Sequence, residues 1–197
     1  MKLFFASQNQ GKVKEALEIL NDCSFSLCSL CDFPELSKTQ VEETGSSFKE
    51  NAYLKSKFFA LQTGLLTVAD DSGLVVNALD QFPGIHSNRW LKGSDDDRNQ
   101  GLLKKLQGKT DRSAAFITVV CLFDPVDQSY HFFQGKVEGE IAQESKGDAG
   151  FGYDPLFIPK GYSQTFGELG LKVKNTLSHR SRALEKLCLY LKRNEIK

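Results

Sequence analysis

The spacing of apolar residues along the chain predicts strands that alternate with helices. Lys2–Ala6 is predicted to form a strand, because Leu3–Ala6 is a short apolar run, and Gly11–Leu20 has apolar residues at helical spacing. A second helix is predicted from Ser47 to about Thr63, because Ser47 and Glu50 have the spacing of a capping box. Strands and helices that alternate in this way are typical of an α/β fold.

The next apolar segments predict the central part of a sheet. Leu65–Ala69 is expected to form a strand that runs into the polar residues Asp70–Gly73, with a second apolar run, Leu74–Val76, after them. Ser113–Phe123 has apolar residues at both parities, which is typical of a strand covered on both faces, so we expect it near the sheet centre. Tyr130–Val137 follows after a turn, and the two strands predict a long hairpin within a mixed sheet.

Two further helices complete the predicted fold. Acidic residues after Ser94 favour the start of a helix that ends near Leu106, and a last helix is predicted from about Ser178 to Leu191. No linker or repeat divides the chain, so we predict a single domain over residues 1–197. The predicted fold class is α/β, a single domain with a mixed central sheet flanked by helices.

The composition narrows the functional classes. The 197 residues include 25 Lys and Arg against 25 Asp and Glu, and 40% are hydrophobic, as in a globular protein. This zero net charge disfavours a general nucleic-acid-binding protein, which normally has a basic surface. The longest apolar run, Ala114–Phe123, is too short to span a bilayer, and Leu3–Ala6 is too short for a secretory signal. We therefore expect no membrane association and a cytoplasmic location.

The five cysteines are expected to be reduced thiols, because an odd set does not suit a disulfide framework. Cys28 and Cys31 form a CxxC pair, which can act as a redox pair or as half of a zinc site. No second CxxC or His pair completes a tetrahedral set in the sequence. We therefore interpret this pair as incidental.

The polar loop between the first strand and the first helix is a candidate anion site. Its residues, Ser7–Lys12, face free helical N–H groups and the positive end of a helix dipole, and Lys12 adds a full charge. The loop lacks the glycine spacing of a P-loop. Ordinary helix capping by Asn9 explains the same residues, so the local pattern leaves both interpretations open.

Two acidic pairs are candidates for a metal site. Glu42 and Glu43 lie ahead of the second helix, and Asp70 and Asp71 follow a predicted strand. Mg²⁺ uses a few carboxylate oxygens together with substrate phosphates, so two separated pairs are a plausible set. Successive side chains in extended backbone point to opposite faces. We therefore expect one of Asp70 and Asp71 to be a ligand or base and the other to be structural.

Two later segments also carry candidate chemistry. Gly150–Asp154 brackets two aromatic residues and an acid that could bind a nucleobase, whereas a tight turn with core aromatics is the structural alternative. Ser178 resembles a helix N-cap, which places His179 and Arg180 in the first turn of the last helix. A cation is unfavourable there unless an anion or polar ligand compensates for it, so this segment favours a functional role.

Taken in order, five segments resemble the inosine triphosphate pyrophosphatase family nearly end to end. The segments are Glu42–Gly45 with Phe48–Ala52, Ala69–Leu74, Pro83–Ile85 with Ser87 and Arg89, Gly150–Asp154, and Ser178–Arg180. The resemblance implies an α/β fold with the active site in a cleft between two lobes. It also implies a homodimer that uses Mg²⁺ to hydrolyse noncanonical purine nucleoside triphosphates (ITP, dITP and XTP) to the monophosphate and pyrophosphate.

The resemblance also implies roles for individual residues. Asp71 looks like the base that activates water, and Glu43 and Asp71 look like the metal ligands. The positions that match substrate binding are Ser7, Gln8, Asn9, Gln10, Gly11, Lys12, Lys55, Ser72, Phe151, Gly152, Tyr153, Asp154, Lys174, His179 and Arg180. The cations of this set, brought together, are expected to provide a positive field for a triphosphate that the neutral composition hides.

The sequence departs from the usual family pattern in its first loop and before Lys174. The loop reads Ser7-Gln8-Asn9 where Thr-Gly-Asn is common, and Lys172 and Val173 stand where an acidic residue is common. Two other functions remain open: a nucleotide-binding module without catalysis, and a phosphohydrolase with another preference, such as pyrimidine nucleotides. The acids Glu43 and Asp71 disfavour the module, and a panel of nucleotides distinguishes the second alternative.

Overall fold

The computed structural model describes residues 2–20, 23 and 25–194. These residues include a six-stranded sheet with the order β2-β1-β3-β4-β5-β6. The strands are β1 Lys2–Phe5, β2 Ser26–Ser29, β3 Thr67–Val76, β4 Ser113–Phe123, β5 Tyr130–Ile141 and β6 Phe157–Pro159. β1 is parallel to β2 and β3, whereas β5 is antiparallel to β6. The prediction of an α/β fold with a mixed sheet is confirmed.

The described residues also form five α-helices. They are α1 Gln10–Leu20, α2 Phe48–Thr63, α3 Asp95–Lys105, α4 Phe166–Leu177 and α5 His179–Arg193. The apolar pattern predicted α1, α2, α3 and α5 to within two residues at each end, but it did not indicate α4, β2 or β6. In the part of the chain described here, no helix combines the length and the hydropathy needed to cross a bilayer.

The ends of the predicted helices follow local signals. Ser47 Oγ accepts the N–H of Glu50 at the start of α2, and Gly64, with a left-handed φ of 67°, ends this helix. Ser94 and Asp97 form a complete capping box at the start of α3. Capping joins residues that are neighbours in sequence, which is why these ends could be predicted from sequence alone.

The described residues pack into two compact units. Unit 1 comprises Met1–Asp71, Thr118–Gly135 and Arg180–Lys197, and unit 2 comprises Ser72–Ile117 and Lys136–His179. In unit 1, residues of α1 and α5 share a core with β1 that includes Leu3, Ala16 and Leu184. In unit 2, the core includes Leu74 and Phe116. Each unit therefore has an apolar core of its own.

β3 corrects one prediction from the apolar pattern. Asp70–Gly73 is not a polar break between two apolar runs, because β3 continues from Thr67 to Val76 without interruption. Asp70 and Asp71 are both buried within this strand. A buried carboxylate is tolerated only when charged or hydrogen-bonding partners compensate for its desolvation, and such partners were invisible to the pattern.

The prediction of five reduced cysteines is wrong for two of them. Cys23 and Cys188 form a disulfide. Both lie in or against the core shared by α1 and α5 in unit 1, which brings the two side chains together. They are 165 residues apart, so spacing along the chain could not pair them. Cys28 and Cys31 are free thiols, as is Cys121, so the CxxC motif is not joined by a disulfide.

Candidate active site

One candidate site region lies in unit 1, where two parallel strands run side by side. Phe5 of β1 lies opposite Val68 of β3. β1 ends at this level and the chain enters the loop before α1, whereas β3 continues through Asp70 and Asp71. Because the strands are parallel, the loop and the two acids follow from the same end of the paired segment.

The loop after β1 is held by its own polar side chains. Ser7 Oγ accepts the N–H of Asn9 at 3.3 Å, and Asn9 Oδ1 accepts that of Lys12 at 3.1 Å. Helix capping by Asn9 is therefore confirmed. The first N–H groups of any helix have no partner within the helix, so capping by Asn9 is compatible with anion binding at this end of α1.

Asp70 is the centre of a buried ion network. Its Oδ2 lies 3.1 Å from Lys12 Nζ and 3.2 Å from Arg180 Nε. Burial opposes ionisation of Asp70, but the charges of Lys12 and Arg180 outweigh this effect and hold the pKa of Asp70 below its usual value. Asp70 therefore matches the structural acid that was expected in the Asp70–Asp71 pair.

Arg180 receives the compensation that its place at the start of α5 requires. Its guanidinium, 1% exposed, pairs through Nη1 with Glu15 Oε2 of α1 and through Nε with Asp70. Burial works against the charged form, but the two carboxylates raise the pKa of Arg180 above its usual value. The compensating anions thus belong to the protein itself, and the pairing joins α1, β3 and α5. Direct contact of Arg180 with a substrate stays a prediction.

Asp71 faces a different set of partners, on α2. Asn51 Nδ2 donates to Asp71 Oδ2 at 3.0 Å, and Lys55 Nζ, one helical turn later, lies 3.9 Å from Asp71 Oδ1. Burial raises the pKa of Asp71, an effect that Lys55 partly offsets and Glu43 reinforces. A buried, oriented carboxylate with a raised pKa suits a general base that works near neutral pH.

Glu43 lies beside the same lysine. Lys55 Nζ donates to Glu43 Oε1 at 2.5 Å, so one ammonium group contacts the carboxylates of both Glu43 and Asp71. Glu42 is exposed, which leaves Glu43 as the member of its pair that meets this cluster. In residues 2–20, 23 and 25–194, no group of three or more His, Cys, Asp or Glu could hold a metal. Two carboxylates nevertheless fit Mg²⁺, which completes its shell with water and phosphate oxygens.

The charged cluster of unit 1 contains carboxylates beside three of the cations that were expected to form a positive field. Lys174 lies in unit 2, and the three remaining cations each pair with a carboxylate. The cluster consists of Lys12, Lys55, Arg180, Glu15, Glu43, Asp70 and Asp71. Its three cations face four carboxylates, so an incoming triphosphate requires additional positive charge, which a divalent cation can supply.

Sequence reasoning left two members of this region out of the site, Asn51 and Glu15. Asn51 is fully buried, and its Oδ1 accepts the N–H of Gly45 at 2.9 Å. A Cβ at Gly45 would lie 2.7 Å from that oxygen, so glycine permits the close approach. The helical face that Asn51 shares with Lys55 was a signal for Asn51. Nothing in the spacing connects Glu15 with Arg180, which is 165 residues away.

Unit 2 contains a candidate site region of its own, a preformed loop. Asp154 Oδ2 accepts the N–H of Phe151 at 2.8 Å and pairs with Lys174 Nζ at 2.6 Å. Gly150 has a φ of 84°, and a Cβ at this position would collide with the same oxygen of Asp154. Lys174 Nζ also lies 4.3 Å from the centre of the Phe151 ring. A buried ion pair and a glycine therefore fix the loop before any ligand binds.

α3 supplies two more anchors for this loop. The N–H of Gly152 donates to Asp95 Oδ2 at 2.8 Å, and Asn99 Nδ2 donates to the carbonyl of Gly152 at 3.0 Å. Asp95 lies in the first turn of α3, immediately after the Ser94 cap. The acidic start of α3 thus has a second role beside capping, since it holds the backbone of Gly152.

The two aromatic rings of the loop have different environments. Tyr153 is 5% exposed in the core of unit 2, where its OH donates to the carbonyl of Ser87 at 2.8 Å and accepts from Trp90 Nε1 at 2.6 Å. This burial raises the pKa of Tyr153 to about 12. Phe151 is only half-buried. The alternative of a turn with core aromatics therefore describes Tyr153, whereas contact of the Phe151 ring with a base stays a prediction.

His179 and Ser72 are the remaining predicted binding residues. His179 is buried, and its ring stacks on Phe116 with 4.6 Å between ring centres and 12° between ring planes. Ser178 has extended backbone and directly precedes α5, as expected of an N-cap. Ser72 follows Asp71 in β3 and is partly buried. Contact of His179 or Ser72 with a substrate stays a prediction.

Comparison with known sequences identifies relatives along nearly the whole chain. The sequence model of the Ham1 family matches residues 3–190. A dITP/XTP pyrophosphatase of Desulforamulus reducens is 44% identical over 197 residues, covering 98% of this chain and 96% of that protein. A dITP/XTP pyrophosphatase of Aquifex aeolicus is 40% identical over 207 residues, covering 99% of this chain and 98% of that protein.

Solved structures share the same fold. A HAM1 protein from Coxiella burnetii has a TM-score of 0.88 and 39% identity, with 98% of this chain and 99% of that chain covered. The Staphylococcus aureus Ham1 protein has a TM-score of 0.87 and 38% identity, with 98% and 100% covered. Because the family model spans nearly the whole chain and full-length relatives reach 44% identity, this chain belongs to the Ham1 family.

Proposed function

We propose that this chain hydrolyses noncanonical purine nucleoside triphosphates, namely ITP, dITP and XTP, to the nucleoside monophosphate and pyrophosphate. Its relatives at 44% and 40% identity are named dITP/XTP pyrophosphatase, and they align with it over nearly their full length. The observation that carries the proposal is Asp71, a buried carboxylate with a raised pKa that Asn51 holds in one orientation.

Asp71 acts in this proposal as the base that accepts a proton from the attacking water. The water attacks the α-phosphorus in line with the departing pyrophosphate. A raised pKa makes a carboxylate a stronger base. Asn51 Nδ2 donates to Asp71 Oδ2, and we assign the proton transfer to Oδ1, which faces Lys55 Nζ at 3.9 Å.

Glu43 and Asp71 are the proposed ligands of a Mg²⁺ ion. When bound, such an ion supplies positive charge to the phosphate oxygens and stabilises the leaving pyrophosphate. Lys55 reduces the repulsion between the two carboxylates, because its ammonium group contacts both. The acidic balance of the unit 1 cluster supports a role for a divalent cation in binding a triphosphate.

Unit 2 supplies the proposed recognition of the purine. The half-buried ring of Phe151 offers a face on which a base can stack. ITP and XTP carry a 6-oxo group, and a site that donates hydrogen bonds to it would leave its donors unpaired against the 6-amino group of adenine, at about 1–3 kcal/mol for each buried donor. Backbone N–H groups of the Gly150–Asp154 loop and the imidazole of His179 are the candidate donors.

A nucleotide panel tests the proposal. ITP, XTP, dITP, GTP, ATP and UTP are incubated with the protein with and without Mg²⁺, and monophosphate with pyrophosphate is resolved from diphosphate with orthophosphate. We expect metal-dependent release of pyrophosphate, fastest from ITP, dITP and XTP. Tight binding without turnover would instead favour a non-catalytic module. Faster hydrolysis of UTP would indicate a different substrate preference, and release of orthophosphate would show that water attacks another phosphorus.

We also propose that the enzyme is a cytoplasmic homodimer, as the family resemblance implies. The single chain has a mass of 22.0 kDa, so sedimentation is expected to detect a species of about twice that mass. A 22.0 kDa species that persists at every concentration would contradict the dimer.

A further inference from the structure

The side-chain amide of Gln8 makes two long-range hydrogen bonds. Its Nε2 donates to the carbonyl of Thr39 at 2.9 Å and to that of Ser37 at 3.3 Å. The two acceptors lie 31 and 29 positions further along the chain. The side-chain amide of Gln8 therefore ties the loop after β1 to a distant segment of unit 1.

The segment that Gln8 holds is a compact turn over residues 34–39. Ser37 Oγ donates to the carbonyl of Pro34 at 2.6 Å, and the N–H of Thr39 donates to that of Leu36 at 3.0 Å. These bonds are local to the turn, so they do not set its position against the loop. Gln8 provides two bonds that do.

The loop and the turn line a cavity of about 370 Å³. Ser7, Gln8 and Gln10 line it from the loop, Ser37 and Lys38 line it from the turn, and Gln40 lines it from just after the turn. The lining contains hydroxyl, amide and apolar groups, and Lys38 is its charged residue. Within the described part of the chain, no carboxylate forms an ion pair with Lys38. Lys38, with the hydroxyl and amide groups of a lining that contains no carboxylate, suits an anion.

We propose that this cavity receives the outer phosphates of the triphosphate, that Lys38 binds them, and that Gln8 is a positioning residue which holds the Lys38 turn against the loop. The inference rests on the proposed function, because the cavity shares Ser7, Gln8 and Gln10 with the proposed phosphate loop. After hydrolysis the same groups hold the pyrophosphate product. Inorganic pyrophosphate is therefore a probe of this cavity that needs no turnover.

A double-mutant cycle tests whether Gln8 acts through Lys38. Gln8→Met preserves the length of the side chain without its donors, and Lys38→Met removes the cation. Each change is expected to raise the KM for XTP and the Kd for inorganic pyrophosphate with Mg²⁺ about fivefold, the scale of one exposed charged contact, with kcat within about twofold. The double variant is expected to have the same KM and Kd as Lys38→Met alone, because the hydrogen bonds of Gln8 have no effect on binding once Lys38 is absent.

Three results would overturn the inference. An unchanged Kd for pyrophosphate in Lys38→Met would show that Lys38 does not bind phosphate. An unchanged Kd in Gln8→Met would show that the hydrogen bonds of Gln8 do not affect binding. If the two changes multiply their effects on Kd in the double variant, Gln8 does not act through Lys38. Gln62→Met and Lys109→Met change exposed side chains elsewhere and are the matched controls, expected to leave both constants within about twofold. If the unaltered protein binds pyrophosphate but does not hydrolyse XTP, the proposed function fails while the Kd cycle still decides the inference.

Discussion

The charged cluster of unit 1 and the glycine-rich loop of unit 2 are held together by different interactions. In the cluster, side chains pair with side chains that are far away in sequence, such as Arg180 with Asp70, 110 residues apart. In the loop, carboxylates of Asp154 and Asp95 hold backbone N–H groups as well as side chains. Ionised side chains can exchange protons and hold a cation, whereas a fixed loop can present a ring and donors to a base. Changes in the two regions should therefore separate turnover from binding.

The largest effect is expected from Asp71→Asn in unit 1. The amide cannot accept a proton from water, so kcat for XTP should fall by about 10²- to 10⁴-fold, the scale of losing a positioned general base. The unfolding midpoint should change little, because the substitution is nearly isosteric, whereas the affinity for pyrophosphate with Mg²⁺ should fall, because Asp71 is also a proposed ligand of the ion. Steady-state kinetics and thermal unfolding of the same preparation measure both. Near-normal turnover in a folded variant would assign the base to another residue.

Arg180→Met is expected to have the next largest effect, on stability. The change leaves the buried carboxylates of Glu15 and Asp70 without the guanidinium, and breaking a buried ion pair in this way costs about 3–5 kcal/mol. Chemical denaturation should show a lower midpoint with an unchanged slope.

Two further variants provide a comparison for the loss of stability in Arg180→Met. Lys174→Met breaks the buried pair of unit 2, but it should cost less, because it affects one carboxylate that still accepts the N–H of Phe151. Arg193→Met removes an exposed arginine at the end of the same helix and should change stability by no more than about 0.5 kcal/mol. A larger loss from Lys174→Met than from Arg180→Met would reverse the comparison between the regions.

Phe151→Leu in unit 2 should act on binding and spare turnover. Leucine is apolar but offers no ring face, and stacking of a base on an aromatic residue is worth about 1–3 kcal/mol, so the KM for XTP should rise about tenfold. We expect kcat to stay within about threefold. Phe151→Tyr, which keeps the ring, should restore the KM, and Phe58→Leu is the control for an exposed aromatic residue in unit 1. A fall in kcat of about tenfold with no change in KM would instead place Phe151 outside the binding site.

The smallest effect is expected from Ser94→Ala, which removes the N-cap of α3. Ser94 Oγ accepts the N–H of Asp97 at 3.1 Å, and loss of such a cap costs about 1 kcal/mol. Because Asp95 in the same turn holds Gly152, the KM for XTP should rise by a small factor, about twofold, while kcat is unchanged. Thr110→Ala, at an exposed site without a cap, is the control for denaturation. Equal unfolding midpoints for the two variants would exclude a stabilising role for this cap.

The features predicted from sequence were those that neighbouring residues decide. α2 was predicted because Ser47 and Glu50 interact across one turn, and the apolar face of α5 because its period is local. α4 was not predicted, and its helical conformation is interrupted at Gly170, where φ is 77°. The family resemblance located Glu43, Lys55 and Asp71, and the structure adds Asn51, which orients Asp71.

The sequence by itself determined the order of most strands and helices, their caps, and the residues that resemble a nucleotide-binding site. Only the tertiary structure decided that β3 continues through two buried aspartates, that Arg180 meets Glu15 and Asp70, and that Cys23 meets Cys188. The reason is the range of the interactions. Capping and apolar periodicity act over a few residues, whereas desolvated charges and thiols depend on partners 110 to 165 residues away.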